Sequence, residues 1–191
     1  MTGSQTHRLL SAFQLFCAQD WSFADFSLLD SDEADEVAEA LSVLIGPPEK
    51  AAAFEVFGKT GTGSYIAFWQ EPSYPSTDYP IVWLDSAGLP RGVFANSFEE
   101  FLTLLPYGNG LIVSTLLFCI GVHPRAHLMS LEQFAKEVVP GSLGEEEQYS
   151  GRNQYITWLT QTTALTLAER PVADIARAYH SHTKVETWLL N

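Results

Sequence analysis

Between residues 6 and 19 apolar side chains recur every three or four positions: Leu9, Leu10, Phe13, Phe16 and Cys17. That spacing places them on one face of a helix. A second stripe, Val37, Leu41, Leu44 and Ile45, predicts a helix that starts after Ser31. Ser31 is the expected cap, with Asp32, Glu33 and Asp35 in a first turn where carboxylates meet the positive end of the helix dipole. Gly46-Pro47-Pro48 ends it.

The period then shortens. Phe54-Glu-Val-Phe57, Tyr65-Ile-Ala-Phe-Trp69, Ile81-Val-Trp-Leu84 and Arg91 to Ala95 read as strands. Gly58 to Ser64 reads as a turn needing positive φ, Glu71 to Tyr79 as a loop, and Asp85 to Gly88 as a tight turn. The connections carry no helix-length insert, so antiparallel pairing is expected rather than βαβ crossovers.

Ser97-Phe-Glu-Glu100 matches a capping box, with Ser97 capping and Glu100 reaching back to its amide. Phe98, Phe101, Leu102 and Leu105 form the buried side of that helix, which Pro106 to Gly110 is expected to stop. The remainder reads as helical: near 111–120, from Ser130 to Val139 (with a second box, Ser130 and Gln133), near 152–168, and from Pro171 to His180. Gly141 to Gly144 is read as a break in this series, and Glu145 to Glu147 as a solvated helix start.

These elements predict an α+β fold: a central antiparallel sheet flanked by helices, with a helical C-terminal extension. One domain over 1–191 is expected, with N-terminal helices in 6–45, a sheet core at about 54–96 and C-terminal helices at about 98–190. The 46% apolar and 13% aromatic content is enough for a sizeable core. The longest apolar run, Leu111 to Val122, has 12 residues. That is short of the roughly 20 needed to cross a bilayer, so it reads as a buried core segment.

Charge narrows the function classes. The net charge is −13, and residues 1–100 hold 15 acids against 4 bases. Such a chain is not expected to bind nucleic acid by neutralising phosphates, and anionic membranes should repel it. A basic protein partner is compatible. Cys17 and Cys119 lie in apolar surroundings and read as buried free thiols, which suits a reducing cytoplasm. Met1 to Arg8 shows no leader pattern.

Candidate chemistry is sparse. Gly58-Lys59-Thr60 ends like a phosphate-binding loop, but position 53 is alanine and a strand follows. His123 and His127 would share a face if 123–127 were helical, and His180 and His182 are two apart; loop and surface roles are the simpler reading, and no metal or cofactor is expected. Asp32/Glu36 and Glu99/Glu100 are accounted for by helix starts and solvated faces, and no nucleophile elbow is present, so no catalytic residue is assigned. The most suggestive cluster is Glu71, Tyr74, Asp78, Tyr79, Trp83 and Asp85. There aromatics could anchor, and acids steer, a basic protein surface; alternatively Trp83 is core and the loop merely solvated.

Three segments together resemble the SUKH superfamily, which includes yeast cell-wall-assembly-regulator-like proteins. They are Phe57-Gly-Lys-Thr-Gly-Thr-Gly-Ser-Tyr-Ile-Ala-Phe-Trp69, Pro80-Ile-Val-Trp-Leu-Asp-Ser-Ala-Gly88, and Gly92-Val-Phe-Ala-Asn-Ser-Phe-Glu-Glu-Phe-Leu102 with Leu104-Leu105. The resemblance covers about 54 residues, Phe57 to Gly110. It lacks the family's proline-containing approach to the sheet after the first helix, and its helical tail beyond about 111 is longer than a minimal member needs. The resemblance implies an α+β domain without shared catalytic residues. It also implies a bacterial immunity protein that neutralises a cognate toxin by direct binding. A host regulatory or scaffolding module is the alternative, and an enzyme with a cleft beside Trp69 and Trp83 a third reading.

Overall fold

The computed structural model describes residues 3–19, 25–70, 79–144 and 151–185. The fold is α+β. Its sheet is an antiparallel meander of five strands in chain order: β1 (Phe26–Leu28), β2 (Phe54–Thr60), β3 (Tyr65–Trp69), β4 (Ile81–Leu84) and β5 (Arg91–Ala95). The helices are α1 (Gly3–Cys17), α2 (Ala34–Ile45), α3 (Pro48–Ala51), α4 (Phe98–Leu104), α5 (Gly108–Ile120), α6 (Leu131–Gly144), α7 (Arg152–Trp158) and α8 (Pro171–Ser181).

Both faces of the sheet are covered, which explains the continuous apolar runs in β3 and β4. On one face Phe57, Ile66, Phe68, Ile81, Trp83 and Phe94 meet α1, α4, α5 and α7. Aromatic rings dominate there: Phe13 meets Phe98, Phe101 and Tyr155 edge-on at 6.0–6.2 Å, and Phe98 stacks on Phe101 at 5.5 Å. On the other face Phe54, Ala67, Trp69, Val82, Leu84 and Val93 meet Val37, Leu41 and Ile45 of α2. Helix α8 runs along the edge strand β5 and serves both layers, sending Ile175 and Tyr179 into the first and Ala178 into the second. An edge strand with open hydrogen-bonding groups is thereby shielded.

Several boundaries differ from the sequence reading. Strand β2 runs through Gly58-Lys59-Thr60, which pair with β1 on one side while Gly58 and Lys59 pair with β3 on the other; the turn proper is 61–64. Gly63, at φ +82°, is the glycine of that turn that needs the left-handed region. Gly58 serves space instead: a Cβ there would lie 2.3 Å from the Phe26 ring. Helix α2 is preceded by a 3-10 turn, Ser31–Glu33, whose cap is Asp30 in an extended conformation rather than Ser31. Glu33 reaches back to accept from the Asp30 amide at 3.0 Å.

Pro106 does not end the helical run. It sits in a 3-10 turn, Leu105–Tyr107, that continues α4, and α5 begins directly afterwards at Gly108. Phe98–Ile120 is thus 23 residues long and apolar enough to cross a bilayer by length and composition, with half of its apolar window buried inside the protein. Helix α6 continues through Pro140 and Gly141 to Gly144 rather than breaking there. Helix α7 is shorter than expected: a π-turn, Leu159–Thr163, follows it and Ala164 closes the run at φ +59°. The Ser130–Gln133 box forms, with bonds exchanged at 3.2 and 2.8 Å, whereas at Ser97 only the cap forms, Ser97 Oγ accepting from Glu100 N at 3.2 Å. Glu100 reaches one residue further back than expected, to the Asn96 amide at 2.6 Å.

Candidate partner-binding face

Of the six residues expected to meet a partner, three lie within the described residues. Trp83 is 2% exposed, in the aromatic layer beneath α4. Four successive apolar residues in β4 pack on two covered faces, so this indole offers no surface to a partner. Tyr79 is half-buried against the same layer. Asp85 organises its own turn: its carboxylate accepts from Ala87 N at 2.8 Å and Ser64 Oγ at 3.3 Å, and lies 3.5 Å from Trp83 Nε1. Glu71, Tyr74 and Asp78 lie outside the described residues. Trp69 is as buried as Trp83 but on the opposite layer, so no cleft brings the two indoles together.

The histidine pairs are dispersed. Residues 123–127 form turns, so His123 and His127 share no helix face. His123 Nδ1 accepts from Arg125 N at 3.2 Å and its ring sits 5.0 Å from Phe134. His182 lies edge-on to Trp69 at 6.2 Å, while His180 is exposed at the end of α8. Among the described residues no three His, Cys, Asp or Glu side chains gather as a metal site.

What the structure does assemble is a charged face on α2. Its buried stripe turns Asp35, Glu36 and Glu39 to the opposite side, where all three are exposed. Asp32, in the preceding 3-10 turn, is exposed too, as is Glu49 just beyond the helix. Between residues 25 and 59 there are nine acids and two bases. One base, Lys59, is committed to Glu33 across the β2 surface. That hydrogen bond, followed by the one from the Asp30 amide, holds the Glu33 carboxyl below the usual carboxylate range. Val43 stands 80% exposed one turn beyond Glu39. The helical spacing of Asp32, Glu36, Glu39 and Val43 is visible in the sequence, where Asp32 and Glu36 read as a helix start and a solvated face. Only Asp35 and Glu36 lie in the first turn of α2, so the dipole does not account for Glu39.

Cys17 is not a nucleophile in waiting. Burial pushes the Cys17 thiol up to about 12, so it carries essentially no thiolate at neutral pH. Comparison with protein-family models, with curated proteins and with solved structures finds no match for this chain.

Proposed function

We propose that this chain is a non-enzymatic, cytoplasmic binding protein whose α2 face engages a basic protein, and that the partner is a toxin it neutralises by covering. The observation that carries the reading is the exposed row Asp32, Asp35, Glu36 and Glu39 with Val43 beside it. Exposed carboxylates raise the rate of encounter with a cationic surface, while a projecting apolar side chain gains its energy only once water is excluded. The stripe that turns these groups outward is anchored on β3–β5 through Val37, Leu41 and Ile45, so the face is presented by a rigid support. The toxin component rests on the resemblance of Phe57–Gly110 to SUKH proteins, a segment that corresponds to most of the sheet and α4.

The test is co-expression with the toxin-like product of an adjacent gene. Survival together with recovery of a complex is the expected result. Continued killing with no complex would refute the reading for that pair.

A further inference from the structure

On the sheet face away from α2, the end of α1 and α7 flank an open, shallow groove of about 510 Å³. We propose that this groove binds a neutral, hydroxyl-rich ligand of the oligosaccharide class. This is independent of the α2 face.

Three observations converge. The first is a fixed aromatic platform. Trp158 is half-buried, and its ring lies 5.0 Å from Phe16, 5.4 Å from Tyr155 and 5.9 Å from Phe13. The indole is therefore held in one orientation while part of it faces the groove. The second is the polar lining. No charged side chain lines the groove among the described residues, although the chain carries a net charge of −13. Asn153, Gln154 and Gln161 are exposed there, and their carboxamides make no hydrogen bond among the described residues. The Thr157 hydroxyl, by contrast, is used internally, donating to the Asn153 carbonyl at 2.9 Å. The third is the backbone. The groove wall continues from α7 into the π-turn Leu159–Thr163, which contributes Gln161 and Thr162 and ends at Ala164 with φ +59°. Such turns are rare, and backbone of this kind concentrates at functional sites.

The chemistry selects the ligand. A carboxamide both donates and accepts, matching the paired hydroxyls of a sugar, whose C–H face stacks on an indole. The uncharged lining among the described residues disfavours ions. An extended peptide is a poorer fit, because both walls are helical and offer no open backbone ladder for strand addition.

The test is titration of the intact protein with cellotetraose, laminaritetraose, maltotetraose and chitotetraose, followed by two-dimensional amide NMR. A glutamine-containing tetrapeptide and an anionic oligogalacturonate serve as comparisons. The expected result is saturable movement of the Trp158 indole N–H and the Gln161 side-chain amide with at least one neutral tetrasaccharide. The Gln154→Ala/Gln161→Ala variant should weaken that binding about tenfold. Trp158→Ala should abolish it, and because Trp158 also packs in the core, the exposed glutamine pair decides the matter if Trp158→Ala does not fold. The proposal is overturned if no tetrasaccharide saturates below about 10 mM, if the glutamine pair leaves binding unchanged, or if only the peptide or the anionic sugar binds.

Discussion

The Tyr155 hydroxyl donates to the Leu102 carbonyl at 2.8 Å. Leu102 lies four residues before Pro106, so the ordinary helical donor to that carbonyl is the one proline lacks. A residue from α7 thus completes the hydrogen bonding of α4, and the helical run survives a proline. Tyr155 is fully buried, which also drives its hydroxyl well above the usual phenol range and keeps it a donor. Tyr155→Phe keeps the ring packing and leaves the carbonyl bare. It should cost about 1–3 kcal/mol in denaturant unfolding; an unchanged midpoint would show that water replaces the hydroxyl.

Tyr179 and Gly92 form the second junction. A Cβ on Gly92 would stand 3.0 Å from the ring of Tyr179, so a side chain there would require the ring to give way by a few tenths of an ångström. Gly92→Ala should destabilise by about 1–3 kcal/mol through overpacking. Tyr179→Leu in the same chain should recover part of the loss, which a double-mutant cycle reads as coupling. Strictly additive losses would place the strain elsewhere.

The Glu33–Lys59 pair ties the start of α2 to β2. Glu33 has a lowered folded-state pKa, so its contribution is present above the unfolded value of about 4.3 and lost as pH falls through the folded value. The Lys59 hydrogen bond is the first cause. In Lys59→Met the Glu33 carboxyl should therefore titrate at higher pH than in the parent, as followed by carbon-detected NMR. Titration at the same pH in both proteins would remove Lys59 as the cause.

Cys17 offers a chemical check on the aromatic layer. With its thiol pushed up to about 12 by burial, it should resist alkylation at pH 8 in the folded protein and react readily once unfolded. Mass spectrometry of the Cys17 peptide after brief iodoacetamide treatment distinguishes the two. Rapid native labelling would mean that the end of α1 opens far more often than its packing suggests.

The architecture was legible where one period held over several residues. The stripes of α1 and α2, the helix from Pro171, the runs of β3 to β5, the cap at Ser97 and the box at Ser130 form as local pattern requires. What escaped were features set by tertiary partners. Strand β1 has three residues and exists through its pairing with Gly58 to Thr60, part of a predicted turn that pairing with β1 and β3 makes strand. Pro106 is tolerated because Tyr155, 53 positions beyond Leu102 in the chain, supplies the bond that the Leu102 carbonyl lacks. The site was less legible for a related reason. Trp83 and Asp85 looked like recognition residues because aromatics and acids were adjacent in sequence, but β4 turns the indole into the core and the turn uses the carboxylate. The α2 row needed no tertiary information; its acids are explained one by one as a helix start and a solvated face, and their common face follows from the helical period alone.

That α2 is the face meeting a basic partner is tested most directly by association kinetics with the toxin, comparing the parent chain with Asp35→Asn/Glu36→Gln/Glu39→Gln. These side chains are exposed, so the variant should fold as the parent does. The predicted result is an association rate lower by about tenfold or more at low salt, a gap that closes as salt rises, and a dissociation rate little changed. Equal association rates at low salt would contradict the assignment of the binding face to α2.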